Sequence, residues 1–159
     1  MKVLGDWTRK VREELVAGGE VMVRGPYGRF DATSAGEKQI WLAGGIGLTP
    51  FLSKLRSMKK GDPRQIHLVY AAREEQDAIF LDELKERAAE LGNVTIVPLF
   101  SDEGNFARVD MMKVKLPDAL ASYDYFMCGP KPMIDGIMGD LTKEGVPRSK
   151  IHTEAFEFR

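Results

Sequence analysis

A glycine-rich segment is the part of this chain best suited to hold a ligand: Gly44-Gly45-Ile46-Gly47-Leu48-Thr49-Pro50. It follows an apolar run and precedes a stretch whose apolar residues have helical spacing. Glycine adopts positive φ and lets a ligand approach the backbone. Thr49 is a good N-cap, and Pro50 suits the first helical position. The segment predicts a phosphate site, because free N–H groups and the helix dipole at such a turn point towards an anion.

This pattern also has a second interpretation, which is a tight strand-to-helix turn that binds nothing. The glycine spacing differs from the dinucleotide motif G-x-G-x-x-G and from the P-loop. Neither of these two motifs is therefore assigned.

The composition limits the classes of function. The chain has 159 residues, of which 43% are hydrophobic and 30% charged, as in a globular protein with one domain or one domain plus a fragment. Its net charge of −1 gives no reason to expect nucleic acid as a partner. One cysteine and two scattered histidines predict neither a disulfide nor a metal site. No apolar run approaches the roughly 20 residues of a membrane span, and a lone cysteine suits a reducing compartment, so we expect a cytoplasmic chain.

Strands and helices alternate from residue 38 onward. The predicted strands are Gln39–Ala43, Gln65–Ala71, Val94–Phe100, Tyr125–Met127 and Ile151–Phe158. The predicted helices are Pro50–Lys59, a helix from Asp77 to about Leu91, a short turn around Val109–Val114, and Lys131–Glu144. In the second of these, Asp77 is the expected cap, and the apolar face that would be buried consists of Ile79, Phe80, Leu84, Ala88 and Leu91. This order predicts an α/β fold with a doubly wound five-stranded parallel sheet. Its ligand would lie at the carboxyl ends of the strands, near the topological switch point.

The first 34 residues do not fit this alternation. A helix start at Asp6 and a strand-like segment, Glu20–Phe30, are too little to form a core of their own. A polar linker follows at Asp31–Lys38. We therefore expect residues 1–34 to be the tail of a truncated domain and residues 35–159 to be the α/β domain.

Four motifs occur in a fixed order: Gly25-Pro26-Tyr27-Gly28, the glycine-rich segment, Met127-Cys128-Gly129-Pro130 with Met133, and Glu154-Ala155-Phe156. Together they resemble the C-terminal pyridine-nucleotide domain of the ferredoxin–NADP reductase superfamily. The run Leu4-Gly5-Asp6-Trp7-Thr8 is similar to the last flavin-domain motif of that family, so Gly5 and Thr8 would lie beside the flavin diphosphate. The upstream flavin-binding β-barrel of the family is not in this sequence. Within the superfamily, this run and the Glu-Ala-Phe-Glu-Phe ending look closest to bacterial ferric-reductase-like flavoproteins. That resemblance implies that a membrane would be met only through upstream segments.

The resemblance implies roles for individual residues. The glycine-rich segment would cradle the dinucleotide diphosphate, and Gly129, Pro130 and Met133 would belong to the same site. Cys128 would lie beside the nicotinamide C4, although a lone cysteine is also a common small core residue. Glu154 would be the carboxylate near nicotinamide and flavin, with a surface glutamate as the alternative. Phe156 would cover the isoalloxazine, unless it packs in the strand and Phe158 covers the ring.

Arg73 bears on the choice of coenzyme, because it ends the second strand, where the adenosine ribose lies in this superfamily. An arginine there pairs with a 2′-phosphate or stacks on adenine. Glu74, Glu75 and Asp77 place negative charge nearby and would oppose a phosphate. The sequence leaves NADH and NADPH open.

The function that the resemblance implies is electron transfer by a flavoreductase. NAD(P)H would pass a hydride to FAD in the complete protein, and the flavin would pass electrons singly to a haem, ferric iron or a redox protein. The alternative is a nucleotide-binding regulatory module without turnover.

Overall fold

The computed structural model describes residues 6–25, 30–32 and 35–156, without the side chains of Trp7, Lys115 and Phe156. Five strands are present in these ranges: β1 (Lys38–Gly44), β2 (Gln65–Ala72), β3 (Val94–Phe100), β4 (Asp124–Pro130) and β5 (Ile151–Phe156). The helices are α1 (Asp6–Glu14), α2 (Thr49–Ser57), α3 (Leu81–Leu91), α4 (Val109–Lys115) and α5 (Lys131–Lys143).

The five strands form one parallel sheet in the order β3-β2-β1-β4-β5. The chain winds outward from β1 in one direction through β2 and β3, and then in the other direction through β4 and β5. The doubly wound sheet is thus confirmed, and its switch point lies between β1 and β4. β3 is an edge strand, a position that tolerates Pro98 because proline has no N–H to donate to a second neighbouring strand.

Apolar side chains cover both faces of the sheet. Alternate residues of the central strands point to opposite faces, so Trp41 and Phe126 enter one core while Leu42 and Met127 enter the other. The first core continues into α2 and α3, and the second into α4 and α5. Burial on both faces explains the nearly continuous apolar runs of β1, β2 and β4.

The start of α3 differs from the prediction. Asp77 does not cap this helix, because it belongs to a separate 3₁₀ turn, Glu75–Asp77. The chain then passes through Phe80 in the left-handed region, at φ 70°, and α3 begins only at Leu81. Ile79 and Phe80 are 62% and 48% exposed, so the prediction that they join the buried face of this helix is wrong. Leu84, Ala88 and Leu91 are buried as predicted.

The N-terminal part confirms one prediction and contradicts another. A helix begins at Asp6 as expected, but residues 20–25 are not in a strand, which contradicts the strand-like assignment of Glu20–Phe30 there. Residues 26–29 of that segment, and with them most of the Gly-Pro-Tyr-Gly motif, lie outside the described residues. Phe30 packs edge-on against Phe51 and Phe126, with ring centroids 5.6 and 5.8 Å away.

A buried glutamine fastens the preceding linker to the sheet. Gln39 is fully buried, and its Nε2 donates to the carbonyl oxygens of Ala32 and Gly36, each at 2.9 Å. Its Oε1 accepts a hydrogen bond from Trp41 Nε1 at 2.9 Å. All polar atoms of this side chain are therefore used, as a buried amide requires.

Candidate functional site

The chain enters helical conformation directly at the end of β1. Gly45–Leu48 form a 3₁₀ turn that runs without a break into α2. Thr49 is therefore not the N-cap, and Pro50 is the second residue of α2 rather than the first. Thr49 Oγ1 donates to the carbonyl oxygen of Ile46 at 3.2 Å instead of capping backbone N–H groups. The helical conformation begins earlier than predicted because Gly45, at φ 54°, reverses the chain immediately after the strand.

The three glycines of this turn have different surroundings. Gly45 faces open space, since a Cβ added there would meet nothing within 4 Å. A Cβ on Gly47 would overlap the carbonyl group of Cys128, with its carbon only 2.5 Å away. A Cβ on Gly44 would lie 2.6 Å from Met133 Cε and 2.9 Å from Pro130 Cδ. Gly45 alone of the three has positive φ and open space, whereas Gly44 and Gly47 are closely packed. Ligand binding at these glycines stays a prediction.

The end of β4 closes the other side of the switch point. Gly129 lies against Gly44, because a Cβ on Gly129 would be 3.2 Å from the Gly44 Cα. That same Cβ would be 2.7 Å from Met133 Cε. The Met133 side chain therefore fills the crevice between the two glycines. The predicted residues Gly44, Gly129, Pro130 and Met133 are brought together here.

Cys128 lies in the middle of this edge of the sheet. It is paired in register with Ala43 of β1 and with Glu154 of β5, and paired residues share a face of the sheet. Its thiol is buried, and burial, assisted by the charge of Glu154, raises its pKa to about 11. The thiol is therefore protonated near pH 7.

The structure describes some of the remaining predicted residues fully, some only in their backbone and one not at all. Glu154 is exposed on β5, and the Phe156 backbone pairs with Pro130, but the Phe156 ring lies outside the described side chains. Thr8 is half-buried on α1, and Gly5 lies outside the described residues. The assignment of Thr8 and Gly5 to a flavin site stays a prediction.

Arg73 lies just beyond β2 and is held by acidic neighbours. Its Nη2 is 2.5 Å from Glu74 Oε1, and its Nε is 3.1 Å from Asp77 Oδ2. The hydrogen bond that this guanidinium donates to Asp77, together with the charges of Glu74, Asp77 and Asp102, raises its pKa. The Asp102 N–H donates to the Arg73 carbonyl oxygen at 3.0 Å, which joins the loops after β2 and β3. The sequence indicated the neighbouring acids, but it gave no signal for this backbone link.

Two absences among the described residues bear on the kind of site. Among the residues that the structure describes, no group of three or more His, Cys, Asp or Glu side chains is arranged to hold a metal ion. No helix in the same part of the chain is both long and apolar enough to cross a membrane.

Comparison with known proteins adds three relatives of this chain. It is 29% identical over 167 residues to the reductase component of propane 2-monooxygenase from Rhodococcus jostii (96% of this chain, 44% of the relative). It is 32% identical over 157 residues to the flavohemoprotein of Rhizobium meliloti (92% and 39%). The cytochrome b5 reductase domain of Ulva prolifera nitrate reductase superposes with a TM-score of 0.78 at 25% identity (94% and 66%). The chain thus spans less than half the length of the two curated relatives.

The family comparison agrees with the fold and with the position of the glycine turn. Residues 41–138, which run from β1 to α5, match the family described as the oxidoreductase NAD-binding domain. The finer likeness to ferric-reductase-like proteins is not tested by these relatives and stays a prediction. The chain belongs to the oxidoreductase NAD-binding domain family, within the ferredoxin–NADP reductase superfamily.

Proposed function

We propose that this chain is the NAD(P)H-binding part of an electron-transfer flavoreductase. The observation that carries the proposal is the open approach at Gly45, beside the switch point of a sheet that belongs to an NAD-binding family. Support also comes from the names of the relatives, which are a monooxygenase reductase component and a flavohemoprotein. The acceptor would accordingly be a haem, ferric iron or a redox protein.

The glycine turn fits the diphosphate of a dinucleotide. Gly45 and Ile46 are exposed, while Gly47 and Leu48 are buried beneath them. The first N–H groups of a helical segment have no partner within it, and here they belong to the turn that continues into α2. These N–H groups would donate to the diphosphate, and the positive end of the helix dipole would attract its charge.

The nicotinamide would lie where β1, β4 and β5 end side by side. Cys128 would shape this pocket with a neutral thiol, and Glu154 would supply a carboxylate from the neighbouring strand. Met133 would form the wall next to Gly44 and Gly129. When bound, NAD(P)H supplies a hydride and FAD accepts it, so this chain contributes position and electrostatics.

The flavin would be held largely by a preceding domain, and residues 1–34 would be the tail of that domain. The exposed apolar side chains of Val21, Met22 and Val23 support this, because a neighbouring domain would cover them. Thr8 and Gly5 would contact the flavin diphosphate, and Phe156 would lie over the isoalloxazine. Residues 35–159 would be the NAD(P)-binding domain.

Isothermal calorimetry with ADP-ribose tests the diphosphate site. Gly45→Asp and Gly45→Asn introduce side chains of equal size, and both residue types tolerate the left-handed region. The Asp variant should bind ADP-ribose about tenfold more weakly than the Asn variant, because its carboxylate would face the diphosphate.

The matched control is the same pair of substitutions at Gly61. This glycine also has positive φ and open space, but it precedes β2 at the opposite edge of the sheet. Both Gly61 variants should bind ADP-ribose as the unmodified chain does. No ADP-ribose binding by the unmodified chain, or equal binding by the two Gly45 variants, would overturn the proposal.

A further inference from the structure

Four charged residues meet at the carboxyl edge of the sheet beside the glycine turn. Arg73, Glu74 and Asp77 follow β2, and Asp102 follows β3; we refer to them as the Arg73 cluster. β2 pairs directly with β1, and Ala71 stands opposite Gly44 in the register. In doubly wound sheets, the adenosine ribose of a dinucleotide lies next to the strand that follows the glycine turn, where an acid contacts its 2′-hydroxyl or an arginine its 2′-phosphate.

The Arg73 cluster has both kinds of residue, so its contacts decide between the two ligands. The guanidinium of Arg73 is bonded to Glu74 and to Asp77, and both carboxylates come from its own segment. Asp102 adds a third negative charge that acts on Arg73. The backbone bond from the Asp102 N–H to Arg73 keeps this acid beside the other two. The cluster therefore carries three negative charges and one positive charge.

We infer that the Arg73 cluster selects NADH against NADPH. This inference rests on the proposed function and names the coenzyme that the site takes. Carboxylates accept a hydrogen bond from a ribose 2′-hydroxyl, which is a neutral donor. A 2′-phosphate carries between one and two further negative charges and would have to displace Glu74 and Asp77 from Arg73.

Partial exposure of these ion pairs does not change the conclusion. Exposed pairs contribute little energy, so a phosphate could in principle draw Arg73 away from its partners. The carboxylates would nevertheless remain on the same short segment, within a few ångströms of the phosphate. The sum of charges would still repel it, and the repulsion would weaken as salt is added.

Calorimetry with two probes measures the selection directly. ADP-ribose and 2′-phospho-ADP-ribose differ only by the phosphate and require no flavin. At low ionic strength the unmodified chain should bind ADP-ribose at least about tenfold more tightly than 2′-phospho-ADP-ribose. The ratio of the two dissociation constants should be smaller at high salt. In the double variant Glu74→Gln/Asp77→Asn, which frees Arg73, the ratio should fall by about tenfold or reverse.

Asp140→Asn is the matched control. It removes one carboxylate from a similar exposed pair, with Lys143, at the end of α5 remote from the carboxyl edge of the sheet. Its probe ratio should equal that of the unmodified chain. Equal binding of both probes, or a ratio unchanged by the double variant, would overturn the inference and leave the proposed function intact. Failure of both probes to bind would overturn the proposed function and the inference with it.

Discussion

Replacing Gly47 by alanine should destabilise the fold at the switch point. The new Cβ would lie 2.5 Å from the Cys128 carbonyl carbon and 2.9 Å from the Gly129 nitrogen. Carbon atoms in contact are about 3.5–4.0 Å apart, so the backbone would have to move by about 1 Å or more. β4 pairs with β1 on one side and with β5 on the other, so such a shift disturbs both pairings. We expect a loss of about 3 kcal/mol, at the upper end of ordinary overpacking.

Thermal and urea unfolding, followed by circular dichroism, measure this loss. For a chain of this length about 3 kcal/mol corresponds to a Tm lower by roughly 6–12 °C. Gly136→Ala is the control, because Gly136 lies in α5 with open space at its Cβ, and alanine should raise the stability by up to about 1 kcal/mol. A Gly47→Ala variant as stable as the unmodified chain would refute the close approach of the glycine turn to β4.

Three other measurements test separate parts of the structure. Gln39→Met should cost about 2–4 kcal/mol in urea unfolding, because it leaves the buried Trp41 N–H without an acceptor; a loss below about 1 kcal/mol would contradict that arrangement. The hydrogen bond from Arg64 Nε to Asp62 Oδ1, at 2.8 Å, lowers the pKa of Asp62. The Asp62 carboxylate therefore stabilises the fold at neutral pH, and this stabilisation is lost as the pH falls through the lowered pKa. Asp62→Asn should therefore lower the stability by about 2 kcal/mol at pH 7 and change it little near pH 2, and a loss independent of pH would contradict the ion pair. Alkylation of Cys128 by iodoacetamide should be slow at about pH 8 and should accelerate only towards pH 11, and a rapid reaction at neutral pH would contradict the raised pKa.

The sheet could be predicted from the sequence because each of its strands is marked by a continuous local run of residues. Apolar runs such as Gln65–Ala71 and Val94–Phe100 have the length and composition of buried parallel strands, and β2 and β3 match these bounds within one residue. The alternation of strands with amphipathic helices then leaves few topologies. The outward winding from β1 follows from that short list.

The helix starts could not be predicted as well, because tertiary contacts decide them. Thr49 has the residue type of an N-cap, yet the turn at Gly45 makes the chain helical before Thr49 is reached. Asp77 is a similar case, since Phe80 in the left-handed region interrupts the helix that Asp77 was expected to cap. Capping preferences describe an isolated helix, and here the backbone turns at Gly45 and Phe80 override them.

The prediction of a strand-like segment near the N-terminus was wrong for another reason. Val21 and Val23 alternate with other side chains as in a strand, but a strand also needs a neighbour for its backbone hydrogen bonds. The described residues 20–25 are not paired in this way, and their apolar side chains are exposed. The pattern therefore indicates a preference for strand conformation, which forms only when a neighbouring strand supplies the hydrogen bonds. For this reason we propose that a flavin domain lies next to this segment.

The glycine-rich segment shows that residues of one sequence motif can have different structural roles. In sequence Gly44, Gly45 and Gly47 are equivalent, and each could have been chosen to test ligand binding. In the structure Gly44 and Gly47 allow the ends of β1 and β4 to approach, so a substitution at either would damage the fold and reduce binding for that reason alone. Gly45 faces open space, and only there can a loss of nucleotide affinity be attributed to the ligand. The proposed phosphate site and the packing of the switch point therefore involve different glycines of one short segment, and their effects can be separated by experiment.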